Sequence, residues 1–242
     1  MPSTSSKSKM SATYVSDTDD TLASENTMPT DDEEDLHSED SSDASRYKLH
    51  PISREDVSIR PSKIPGAGMG VITKRPLSAG TILPYYTVIY KTSAVDPKED
   101  DTYFNTICYS NDGREEKVLS NMIGDGNPHI KANKKLPREF RTAPYVNEAY
   151  DRVKPNTIMV TNPSLTKDQI VSAYRSSTPI ATALLVVPQE IPKDVELLTL
   201  YGKSYQRDYA PWSGKKSFLS ELVQLAHEIT DELETDIAAV FS

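Results

Sequence analysis

Cysteine is almost missing from this chain: Cys108 is the single one in 242 residues. That excludes a disulfide framework and any zinc cluster built on thiolates. The histidines, His37, His50, His129 and His227, have no Cys or His partner at ligand spacing, so no metal is assigned. No apolar run approaches the ~20 residues of a membrane-crossing helix, and the N-terminus lacks the apolar core of a secretory signal. A soluble intracellular protein in a reducing compartment, with no membrane partner, is the expectation. Net positive charge is also lacking. The balance of −9 argues against a general affinity for nucleic-acid phosphates. No pair of carboxylates, Glu148 and Asp151 included, reads as an acid–base couple.

Apolar residues make up 36% of the chain, which is low for a fully folded protein of this length and places part of it outside the fold. Residues 1–48 hold twelve acidic and four basic side chains, a net of −8. Such a segment buries too little apolar surface to offset its ordering entropy, so a disordered acidic tail is expected there. It is either a solubilising tail or a docking segment for a basic partner.

Residues 49–212 read as a folded, mainly β unit. MGVIT (69–73), TILPYYTVIY (81–90), TIMVT (157–161), IATALLVV (180–187) and VELLTL (195–200) are short, rich in Val, Ile, Thr and Tyr, and punctuated by Pro and Gly. Their uneven spacing, with no long helical period between them, disfavours a βαβ sheet and a repeat array. The stretch 92–156 reads as an irregular, polar insertion. In residues 213–242, Leu219, Leu222, Ala226, Ile229, Leu233 and Val240 repeat at alternating spacings of three and four, broken at Asp236. That is an amphipathic C-terminal helix, which either packs on its own domain or forms a homodimer.

Glycine is scarce, nine in all, yet three fall within RPSKIPGAGMGVITKRP (60–76), at 66, 68 and 70. A dinucleotide fingerprint needs a helix after its glycines, and here β-branched residues follow. No Gly-Lys-Ser/Thr is present for a P-loop. What remains is a turn that brings main-chain carbonyls and amides close to some other ligand.

Read with APYVNEA (143–149) and IPKDVELLTLYGKSYQRDY (191–209), in that order, this stretch resembles the SET domain of protein lysine methyltransferases. The resemblance covers about residues 56–209 and is nearest to the PR/SET-like subgroup. It implies a knotted β-clip fold and transfer of a methyl group from S-adenosylmethionine to a protein lysine, most often on a histone tail. A chromatin and nuclear setting would follow, with the acidic tail meeting a basic histone or chromatin protein. Residue by residue, Gly68, Met69 and Gly70 would wrap the methionine part of the cofactor. Tyr145, Asn147 and Tyr201 would contact it. Tyr201 would be the catalytic tyrosine and Tyr85 a second channel tyrosine. The chain departs from the family in three places. Glu148 stands where His commonly follows the Asn, and Leu185 or a neighbour stands where a channel aromatic is common. The Cys-rich zinc element is missing, with Tyr205, Tyr209 and Trp212 in its stead. These departures leave a second reading, a catalytically inactive SET-type module that binds other proteins.

Overall fold

The structure is a computed structural model, and it describes residues 47–95, 103–110, 116–201, 209–210 and 212–241. Tail residues 1–46 and Tyr205 lie outside the described residues. The Tyr47 N–H donates to Glu232 Oε1 at 2.9 Å.

The architecture is mainly β with a C-terminal helical segment, as expected. Ten strands are described: β1 (His50–Pro51), β2 (Val57–Pro61), β3 (Met69–Thr73), β4 (Thr81–Lys91), β5 (Phe104–Ser110), β6 (Glu116–Asp125), β7 (Asn147–Glu148), β8 (Ile158–Thr161), β9 (Ile180–Val186) and β10 (Leu198–Thr199). The largest sheet runs β5-β6-β4-β9-β8, with β1 also on β4; β2–β3 and β7–β10 form two small sheets. β7 and β10 pair in parallel, Leu198 against Asn147 and Thr199 against Glu148. Those two residues therefore meet the segment that ends in Tyr201 through main-chain pairing.

Strand β9 shows how the large sheet is used. Ala183, Leu185 and Val187 join Leu83, Tyr85, Val71, Val146 and Leu197 in one core. Leu184 and Val186, on the opposite face, meet Ile82, Ile158 and the C-terminal helices. The period-two alternation of a strand buried on both faces accounts for this division.

The C-terminal pattern forms two helices, α2 (Lys216–Glu232) and α3 (Glu234–Phe241). The chain leaves helical geometry at Leu233 (φ −101°, ψ 10°), three residues before the break in the sequence pattern. Leu222, Ala226, Ile229 and Leu233 are buried against the sheet with Ile237 and Phe241. The coiled-coil-like seam thus packs on its own domain, and a homodimer through this helix would have to use its other face.

Two expectations are corrected. Residues 92–156 are not one irregular insertion, because β5 and β6 form an antiparallel pair within it. And a helix, here α1 (Lys167–Ser176), does separate β8 from β9. Thr166 and Gln169 close a capping box at its start, Thr166 Oγ1 accepting from Gln169 N. Ile170 and Ala173 bury its inner face with Ile89, Ile107 and Leu165.

Candidate functional site

The carboxylate of Glu196 gathers the three segments singled out in the sequence. Glu196 is 6% exposed. Oε1 accepts from Ser62 Oγ at 2.6 Å and from Asn147 Nδ2 at 3.0 Å; Oε2 accepts from the Lys63 N–H at 2.9 Å. Asn147 Nδ2 also donates to the Met69 carbonyl at 3.0 Å. One buried carboxylate, met by three donors, thereby ties the glycine loop to Asn147. The main chain supports the arrangement. Leu197 N donates to Val71 O (2.8 Å) and Thr73 N to Val195 O (2.9 Å), so β3 has β2 on one side and residues 195–197 on the other. Asn156 completes it by accepting from Leu198 N and donating to Glu196 O, both at 2.8 Å.

This geometry accounts for the glycines. Ser62 N donates to Gly68 O at 2.8 Å and closes the loop. Gly68 sits at φ +70°, where a side chain would be strained. Gly70 is needed for space: a Cβ there would stand 2.9 Å from Glu196 Cδ, closer to Oε1, and 3.2 Å from Asn147 Nδ2. The backbone turns around a buried carboxylate, and Met69, 41% exposed, is held outward between two glycines.

Beside Met69 opens a cavity of about 230 Å³, lined by Met69, Tyr145, His129, Arg138 and Arg141 together with Ile59 and Pro128. Tyr145 and the arginines lie on short 3₁₀ turns, Arg138–Arg141 and Ala143–Tyr145. His129 sits on a loop built by Asn and Asp side chains. Asp125 Oδ1 accepts from Asn127 N, Asn127 Oδ1 accepts from His129 N, and buried Asn133 donates to the carbonyls of Asp125 and Asn127. Tyr145 Oη and His129 Nε2 are 3.2 Å apart.

Tyr201 follows β10. Its hydroxyl donates to the Val146 carbonyl at 2.9 Å, and its N–H donates to Glu148 Oε1 at 3.0 Å. The other oxygen of Glu148 accepts from Tyr209 Oη at 2.6 Å. Glu148, 4% exposed, therefore fastens residues on both sides of 202–208. A glutamate carboxylate is an acceptor suited to these donors.

The expected site residues divide into two groups. Gly70 and Asn147 meet Glu196, Met69 is tied to Asn147 through its carbonyl and Gly68 to Ser62, and Tyr145 lines the adjoining cavity. Tyr201 is bonded one residue from Asn147, at Val146. Tyr85 is placed differently. It is 8% exposed in the core with Leu185 and Val146, its hydroxyl stands 3.4 Å from Tyr103 O, and its ring packs against Gly126, where a Cβ would meet Cζ at 2.6 Å. Leu185 is fully buried in the same core. Sequence reasoning did not single out Glu196 as the organising residue, although it opens the ELLTLYG segment. It also gave no role to His129, Arg138 or Arg141, which carry no local motif. Glu148 was visible only as a departure from the family pattern.

No protein-family model matches the chain, and no curated protein does. Among solved structures it is similar to the methyltransferase domain of human PR domain-containing protein 2, at 16% identity and a TM-score of 0.39, over 67% of this chain and 80% of that one. It is also similar to the SET domain of the RIZ1 tumor suppressor (PRDM2), at 19% identity and a TM-score of 0.36, over 61% of this chain and 69% of that one.

Proposed function

We propose that the chain is an S-adenosylmethionine-dependent protein-lysine N-methyltransferase of the SET type. The observation that carries this reading is the convergence of the glycine loop, Asn147 and the ELLTLYG segment on the Glu196 carboxylate. Three stretches far apart in sequence, each a weak signal alone, meet in space around one group.

The residues present fit such a cofactor. Met69 is exposed between the glycines, Asn147 anchors the adjoining main chain, and a cavity lined by Tyr145, His129, Arg138 and Arg141 opens beside them. When bound, the cofactor supplies a methyl group on a positively charged sulfur. The protein's part is to align a lysine nitrogen with that methyl, and alignment of this kind lowers barriers by up to ~7–11 kcal/mol. Tyr201 is the catalytic tyrosine in this reading. Its hydroxyl donates a hydrogen bond to the Val146 carbonyl, and a phenol oxygen can accept C–H or N–H donors without adding a charge. Glu148 holds the Tyr201 backbone in place. The lysine-bearing substrate, a histone tail by family habit, and a nuclear location rest on the resemblance.

A specific observation favours the second reading, an inactive SET-type interaction module: Leu185, which the resemblance puts at or beside the place of a channel aromatic, is fully buried, and Tyr85 lies in the same core. Full-length chain incubated with labelled S-adenosylmethionine and a histone panel separates the two. Label transferred by the wild type and lost in Tyr201→Phe supports the enzyme. Saturable cofactor binding without transfer to any substrate favours the module. Neither binding nor transfer refutes both cofactor-dependent readings.

A further inference from the structure

We propose that the acidic stretch 31–43 of the chain's own N-terminal tail docks on an exposed basic surface formed by Lys131, Lys134, Lys135 and Arg138. The contact is intramolecular and does not rest on the methyl-transfer reading above.

All four cations are exposed. No ion pair among the described residues joins any of them to an acid, although Arg60, Arg75 and Lys193 have such partners. The acid within their stretch, Glu139, is half-buried. Like charges crowded into eight residues repel one another until an anion faces them. The main chain that carries them is fixed from within. Asn133 is 2% exposed, and its side-chain amide donates to the carbonyls of Asp125 and Asn127. Lys134 N donates to Ile130 O at 3.0 Å and Lys135 N to Ala132 O at 3.1 Å. With Asn133 turned inward, Lys131 and Lys134, three residues apart on a helical turn, are neighbours on its outer side.

Charge and reach identify the occupant. Residues 1–46 hold twelve acids and three bases, a net of −9, so residues 47–242 sum to zero. Eight of the twelve acids fall in 31–43, with no Lys or Arg among them. That stretch lies four to sixteen residues before Tyr47, which is tied to Glu232. For a chain with the disorder its composition predicts, four to sixteen residues span about 10–24 Å. The basic turn is within such a distance. Tyr47 and Phe140, the latter two residues after Arg138, pack against the same core cluster. Pro51 pairs with Ile82 on β4, and Phe140 stacks on Tyr86 of that strand with ring centroids 5.2 Å apart. Four strand residues separate Ile82 from Tyr86, about 13 Å. A tether this short gives an effective concentration on the order of millimolar, so individually weak charge attractions suffice. An external polyanion has no tether and meets a chain of net charge −9.

Zero-length carbodiimide cross-linking of the full-length chain tests this, with equal amounts of unlabelled and ¹⁵N-labelled protein and peptide mapping by mass spectrometry. Amide links from carboxylates of residues 31–43 should fall on Lys131, Lys134 and Lys135, within one chain. They should be lost in 1 M NaCl, where the screening length drops to ~3 Å. A neutral-tail variant, Asp31→Asn/Asp32→Asn/Glu33→Gln/Glu34→Gln/Asp35→Asn, alters no residue of the described fold. In it, acylation of Lys134 and Lys135 by an amine-reactive ester should rise severalfold, while exposed Lys167 and Lys193 react as in wild type. Links spread evenly over Lys154, Lys167 and Lys193 as well, or an unchanged acylation pattern, overturn the docking. Links between labelled and unlabelled chains also overturn it, and give the surface to the tail of a second copy.

Discussion

Glu196→Ala should destabilise the domain severely, and Glu196→Gln less, in amounts that follow from the donor count. In the alanine variant, Ser62 Oγ, Lys63 N and Asn147 Nδ2 lose their common acceptor. Hydrogen bonds to a charged group contribute about 1.5–3 kcal/mol each. The effects do not add fully, since Asn147 keeps the Met69 carbonyl and the Ser62 hydroxyl can rotate. A net loss of about 3–5 kcal/mol is the expectation, comparable to removing one member of a buried charged pair. At roughly 2–4 °C per kcal/mol for a protein of this size, that lowers Tm by about 6–20 °C. Glutamine is nearly isosteric, but each carboxylate oxygen faces a donor, so its NH₂ must oppose an N–H or O–H in either orientation. A loss of about 1–3 kcal/mol follows, or roughly 2–12 °C. Circular dichroism melting of the wild type and both variants measures this. A glutamine variant that melts within a degree of wild type would refute the assignment of the Glu196 carboxylate as the common acceptor at the centre of the site.

Other outcomes are expected. Gly70→Ala forces a methyl against the Glu196 carboxylate and should cost about 1–3 kcal/mol in a urea titration; in the reading above it also weakens S-adenosylhomocysteine binding, and wild-type stability in that variant would contradict the geometry. Glu148→Ala leaves Tyr201 N and Tyr209 Oη without their acceptor, and limited proteolysis should detect faster cleavage near residues 201–209 than in wild type. Burial pushes the Asp56 carboxyl up, but hydrogen bonds from Ser53 and Arg75 and the charge of Arg75 outweigh it, so its pKa lies below the ordinary value. A depressed folded pKa means that its stabilisation is present above the unfolded value of ~3.9 and is lost as pH falls below that value through the folded one. Asp56→Asn should therefore narrow the Tm gap between pH 6 and pH 3, read by calorimetric melting; an unchanged gap would sink the assignment.

Much of the framework was legible along the chain because it is local. MGVIT is β3 residue for residue, and IATALLVV holds β9 whole. β-Branched residues suit a pleated strand buried on both faces wherever they occur. The helical period of 215–240 was visible for the same reason. Strands β5 and β6 escaped notice because polar residues interrupt FNTICYS and EKVLSNMIGD, which leaves an apolar alternation too sparse to stand out. α1 was passed over although TKDQ carries its capping box; a ten-residue helix offers few turns in which a period can repeat.

The sequence by itself determined the acidic balance, the want of thiolate ligands, the strand-rich middle with its amphipathic end, and which three segments deserved to be read together. Each of these is a property of composition or of neighbours within a few residues. Only the tertiary structure decided that Glu196 is the group the glycine loop turns around, that Glu148 holds Tyr201 and Tyr209, that Tyr85 belongs to the core, and that Arg138 and Arg141 line one cavity with Tyr145. The hydrogen bonds of Glu196 and Glu148 join residues 49 to 134 positions apart. They depend on which strands pair and in which register, and a main chain can bring a donor to an acceptor over such distances only after the whole sheet has closed around them.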